Sequence, residues 1–261
     1  MSFNDKLLFT REMSGVFTRR CGDVPAPVIS SEIHALWRKH SGNEDPYLEE
    51  KKHSNDIALG LYDELKEKVR MSADPVDTAL RLAIAGNIID YGASYPFDFH
   101  ATIDRVMSSH FAIDHSKQLR EVIAKSKTIL YLGDNSGEIV MDKLFIETLG
   151  LRNVVFAVRG APVINDVTMD DARYVGIDKI TRVITNGFDA PSTILEYCSP
   201  EFRDVFEYAD LVISKGQGNF EGLNDKTDKN IFFLLMAKCK VVAETLNVSQ
   251  GSFVIKNSMI K

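Results

Sequence analysis

From residue 126 the chain becomes a series of short apolar runs, at 128–132, 154–158, 181–184, 210–214, 240–243 and 252–255. That series constrains the fold more than any other feature. Each run has the length of a strand, and the intervals between the earlier ones are long enough for crossover connections. Strands alternating with helices predict a mainly parallel sheet with right-handed crossovers and helices on both faces. In an open sheet of that kind, ligands bind beyond the carboxyl ends of the strands.

Up to about residue 120 the pattern is helical instead. Ser31-Glu-Ile-His-Ala-Leu-Trp predicts a helix begun by Ser30 or Ser31, and Asp45-Pro46 offers a cap and a first-turn proline for the next one. Asp74-Pro75 does the same for an apolar helix running to Tyr91-Gly92. That helix is apolar on most sides, so Asn87 and Asp90 within it need partners: a neighbouring loop, an exposed helix end, or a ligand. The fold class expected is α/β, with an N-terminal all-helical region followed by a mainly parallel, Rossmann-like three-layer α/β/α sandwich. The domains expected are a helical one over 1–120, covering the site, and an α/β one over 121–261.

Composition narrows the function classes. A net charge of −6 argues against a general nucleic-acid binder, which needs Lys and Arg to neutralise phosphates. No apolar run reaches the roughly 18 residues of a membrane span, and the first residues lack a secretory pattern, so the expected location is cytoplasmic. Cys21, Cys198 and Cys239 are far apart with no CxxC and read as free thiols. His100, His110 and His115 lack the spacing of a helical metal pair and read as surface or packing residues.

The chemistry is concentrated where the strands end. Thr128-Ile-Leu-Tyr-Leu-Gly-Asp-Asn-Ser-Gly-Glu138 passes from strand to polar loop to amphipathic helix; Arg159-Gly-Ala-Pro-Val-Ile-Asn-Asp166 and Ser214-Lys-Gly-Gln-Gly-Asn219 follow later strands. Asp134, Asn135 and Asp166 are hard oxygen donors suited to a divalent ion such as Mg²⁺ or Mn²⁺. Asp, Asn and Gly are also common turn formers, so each alone carries little. Ser136 and Gly137 lead a helix whose first amides favour a phosphate, while Lys215 lies beside Gly216 and Gly218, where backbone can approach a ligand closely. Neither GxGxxG nor GxxxxGK[ST] is present.

These blocks, with Arg81-Leu-Ala-Ile-Ala-Gly-Asn-Ile-Ile-Asp90 and Asp45-Pro-Tyr-Leu-Glu-Glu-Lys, resemble the metal-dependent damage-control phosphatases, the former domain-of-unknown-function 89 family. The likeness runs from about residue 45 to 245. It departs at the start, where short prokaryotic members often carry a cysteine pair and this chain has only Cys21. The resemblance implies a phosphatase acting on phosphomonoesters of small metabolites such as sugar phosphates, with one divalent ion (Mn, Ni, Co, Fe or Mg) on Asp134, Asn135 and Asp166. It implies site roles for Asn87, Asp90 and Lys215, and the loops add Ser136, Gly137, Arg159, Gly216 and Gly218 as phosphate-binding candidates. Attack by water or by Asp134 itself remains open, with water favoured because Asp134 is assigned to the metal. Two competing readings are a methyltransferase-like enzyme using a nucleoside cofactor and a non-catalytic phosphometabolite-binding protein.

Overall fold

The computed structural model describes residues 1–86 and 99–260, the side chains of 99–102 excepted. The helices are α1 (Phe3–Arg20), α2 (Ala26–Ser41), α3 (Leu48–Gly60), α4 (Tyr62–Met71), α5 (Pro75–Ala85), α6 (Phe99–Ser108), α7 (Ser116–Ile123), α8 (Glu138–Leu149), α9 (Met169–Val175), α10 (Pro200–Tyr208), α11 (Gly216–Leu223) and α12 (Lys240–Leu246). The strands are β1 (Ile113–Asp114), β2 (Ile129–Leu132), β3 (Val154–Val158), β4 (Arg182–Thr185), β5 (Leu211–Lys215), β6 (Ile231–Met236) and β7 (Phe253–Asn257). Among the described residues, no helix is long and apolar enough to cross a membrane.

The strands form one sheet in the order β1-β7-β6-β5-β2-β3-β4. Every pairing is parallel except β6 with β7. The chain leaves β2 for β3 and β4 on one side, then returns to lay β5 against the other side of β2. The reversal between β2 and β5 is the topological switch point, where such sheets leave a crevice.

Alternation along the strands builds two cores. Ile129, Tyr131, Phe156, Ile213, Phe232 and Leu234 face a cluster filled by α4 to α9, while Leu130, Leu132, Val212, Phe233 and Leu235 face one filled by α10, α11, α12 and Val28 of α2. Helices on both faces make the expected three-layer α/β/α sandwich. The first cluster crosses the boundary expected at residue 120: Leu65, Leu80 and Ile84 pack with Ile139 and Phe145. Ile113 of β1 likewise pairs with Val254 of β7. Full burial of each such side chain is worth about 1.5–3 kcal/mol.

Three sequence expectations shift. The run at 240–243 is helical, because Val242, Ala243 and Leu246 are buried while Val241 is 71% exposed, a helical period. The missing strand is Ile231-Phe-Phe-Leu-Leu-Met236, a continuous apolar run whose period alone does not distinguish strand from helix. Helix α2 begins before Ser30, at Ala26 after Pro25, since prolines fit a first turn. Asp45 accepts from Tyr47 N (3.0 Å) in the turn before α3 rather than capping the helix itself. Asp74 does cap α5, accepting from Asp77 N, and the described part of that helix ends at Ala85. His115 packs at the sheet edge, its Nδ1 accepting from Asn257 N (3.0 Å).

Candidate active site

The loops after β2 and β3 are stitched together by backbone. Asn135 and Asp166 form an antiparallel bridge, Ser136 N donates to Asn165 O (2.9 Å) and Val167 N donates to Asp134 O (2.9 Å). This brings Asp134, Asn135 and Asp166 together, and all three are buried. Gly216 closes the group from β5: its φ is +77°, and a Cβ there would stand 1.8 Å from Asp134 Oδ2. Only glycine allows the end of β5 to lie against that carboxylate. The expected metal-binding trio thus converges at the switch point.

Arg159, also buried, is wedged among these groups. Its Nε donates to Asp166 Oδ2 (2.6 Å), and its Nη1 to Asn219 Oδ1 (2.8 Å) and Thr193 Oγ1 (3.2 Å). Its Nη2 lies 3.6 Å from Asp134 Oδ1 and has no hydrogen-bond partner among the described residues. A cleft of about 740 Å³ opens beside it, between the 43–55 segment and residues 159–174.

Lys215 sits elsewhere than expected. The alternation of β5 turns it away from the crevice to full burial, where its Nζ donates to Ala83 O (2.8 Å), Glu138 Oε1 (2.7 Å) and Asp142 Oδ1 (2.5 Å). An ammonium has three donors, and all are used. Tyr131 OH donates to the same Asp142 oxygen (2.6 Å). Glu138 passes this network to the site: Asn135 Nδ2 donates to Glu138 Oε2 (3.4 Å) and to Asp134 Oδ2 (2.9 Å).

The helix-start amides are also committed. Ser136 N donates to Asn165 O and Gly137 N to Asn55 Oδ1 (2.7 Å), so neither points a free donor at an anion. Gly218 packs away from the crevice, its would-be Cβ 2.1 Å from Pro191 O. Asn87 and Asp90 lie outside the described residues. The described end of α5 does reach the site, since a Cβ on Gly86 would come within 3.1 Å of Glu138 Cα.

Four buried carboxylates, Asp134, Glu138, Asp142 and Asp166, therefore gather around two buried cations, Arg159 and Lys215. Burial and the charges of Glu138 and Asp166 push the Asp134 carboxyl well above its ordinary value, while Arg159 and Lys238 pull it back. Burial likewise raises Asp142 to about 6, opposed first by Lys215. A local excess of negative charge with oxygen donors only is what a hard divalent cation relieves, so the donor set fits one. Sequence reading missed Glu138, Lys238, Asn219 and Asp171. For Glu138 a signal existed, because Glu138 and Asp142 are i,i+4 carboxylates on either side of the apolar run Ile139-Val140-Met141.

The family described as "Damage-control phosphatase ARMT1-like domain" matches residues 10–254. Damage-control phosphatase PH1575 of Pyrococcus horikoshii is 37% identical over 242 residues, covering 91% of this chain and 83% of its own. A damage-control phosphatase of Archaeoglobus fulgidus is 36% identical over 235 residues, covering 87% of this chain and 81% of its own. The crystal structure of PH1575, described as a DUF89 family protein, superposes with a TM-score of 0.87 at 32% identity, covering 99% of this chain and 91% of that one.

Proposed function

This chain belongs to the damage-control phosphatase ARMT1-like family, and from that premise we propose that it hydrolyses phosphomonoesters of small metabolites such as sugar phosphates with the help of one divalent metal ion. The observation that carries the reading is the meeting of Asp134, Asn135 and Asp166 at the switch point, beside an Arg159 Nη2 with no hydrogen-bond partner among the described residues.

Asp134, Asn135 and Asp166 would hold the metal, which when bound supplies positive charge to polarise a phosphoryl oxygen and lower the pKa of water. Arg159 Nη2 is the donor placed to meet a second phosphoryl oxygen, and its other nitrogens are fixed by Asp166, Asn219 and Thr193. Lys238, half-buried beyond the end of β6, adds charge near Asp134 and takes over the phosphate-facing role first given to Lys215. Glu138 orients the Asn135 amide, and Lys215 with Asp142 holds Glu138. Water attacks phosphorus, the ester P–O bond breaks, and the leaving alkoxide gains the proton that water gives up. The non-phosphate part of the substrate fits the cleft beside Arg159.

The test is phosphate release from a metabolite panel by chelator-stripped protein with Mg²⁺, Mn²⁺, Fe²⁺, Co²⁺ or Ni²⁺ restored singly. Metal-dependent turnover that Asp134→Ala and Asp166→Ala each abolish is the expected result. Full activity in Asp134→Ala removes the assignment, and metabolite binding without turnover turns the protein into a sensor.

A further inference from the structure

Helix α3 meets the site loops through Lys51 and Asn55, one turn apart and each 1% exposed. Such groups are buried only when fully partnered. Lys51 Nζ pairs with Asp45 Oδ2 (2.8 Å) and Asp171 Oδ2 (2.7 Å). Asn55 Nδ2 donates to Asp171 Oδ1 (3.2 Å), and Asn55 Oδ1 accepts from Gly137 N (2.7 Å). Asp171 also accepts from Thr168 N (2.9 Å) at the start of α9 and from Ser136 Oγ (3.4 Å) in the loop after β2. One carboxylate thus ties α3 to both site loops.

Gly137 is the cap residue of α8, and its N–H is among the donors at a helix start that have no partner within the helix. Asn55 supplies that partner from another element. Without it a buried donor is orphaned, and the segment carrying Asp134 and Asn135 gains a reason to relax. Catalytic geometry tolerates little of that, on the order of 0.5 Å.

We propose that Asn55 is a positioning residue: through Gly137 it fixes the Asp134–Gly137 loop, and Lys51 holds Asp171 where it can orient the Asn55 amide. The consequence for rate rests on the phosphatase reading above; the consequence for the loop does not.

The experiment compares full-length wild type with N55A by amide hydrogen exchange and by steady-state kinetics on p-nitrophenyl phosphate with Mn²⁺. For N55A, exchange at Gly137 is expected to quicken about tenfold or more, since a hydrogen bond to a buried donor is lost. Peptides from β5 and β6 should keep wild-type exchange, and kcat should fall about tenfold or more with KM within about threefold, as for lost pre-organisation. N55D alone sets two carboxylates face to face, whereas N55D combined with D171N restores one donor between two acceptors; exchange and kcat should recover toward wild type in the double variant. Unchanged Gly137 exchange in N55A overturns the proposal. So does acceleration spread evenly over β5 and β6, which marks general loss of stability, or a double variant no better than N55D. A wild type inert toward phosphomonoesters overturns the phosphatase reading, while the exchange data still decide whether Asn55 holds the loop.

Discussion

Lys215 pairs with Glu138 and Asp142, whereas the charge of Lys238 acts on Asp134, so their replacements are expected to differ in effect. Removing the Lys215 ammonium leaves Glu138 and Asp142 buried against each other, so Lys215→Met is expected to cost about 3–5 kcal/mol, read from urea unfolding. Lys238→Met, at a half-buried position, is expected to act mainly by raising KM for phosphomonoesters. Strain gives a residue-scale test of opposite sign. Ile164, two residues before Asp166, is β-branched yet holds φ at 44°, and it is 37% exposed. Ile164→Asn is expected to raise stability by roughly 1 kcal/mol in thermal or urea unfolding, since Asn tolerates the left-handed region and little burial is lost. The oxygen donors Asp134, Asn135 and Asp166 were legible in sequence because strand ends in such sheets converge. The direction of Lys215 was not: it depends on the register of β5, which decides which face every second side chain meets.

Among the elements, α5 was the most readable, and its cap can be tested by pH. Arg120, and then the amide of Asp77, hold the Asp74 carboxyl down at about 2, below its ordinary value of 3.8. A carboxylate depressed in the folded state adds stability that is full above the unfolded pKa and lost as pH falls from about 4 through 2. Asp74→Ala should therefore cost about 1 kcal/mol near neutrality, the usual worth of a cap, and flatten the acid limb of stability in that window. Strand β6 and helix α12 were misread for one physical reason. Short apolar stretches carry no period of their own, and the surroundings choose: β6 is buried on both faces between β5 and β7, whereas α12 covers the sheet with one side only.

The whole molecule is less divisible than its sequence. Before residue 120 the described elements are helices and the two-residue β1, and after it strands and helices alternate, but α4 and α5 supply part of one face of the sandwich. A fragment of residues 121–261 would expose the apolar face of α8 and lose β1. It is expected to unfold without a cooperative transition or to aggregate, as checked by calorimetry and light scattering. The sheet order carries a further consequence, one of timing. Among the described strands β7 comes last in the chain, yet it is an interior one, lying between β1 and β6. β1, made well before it, pairs among the described strands with β7 alone, so that side of the sheet closes only by a contact distant in sequence.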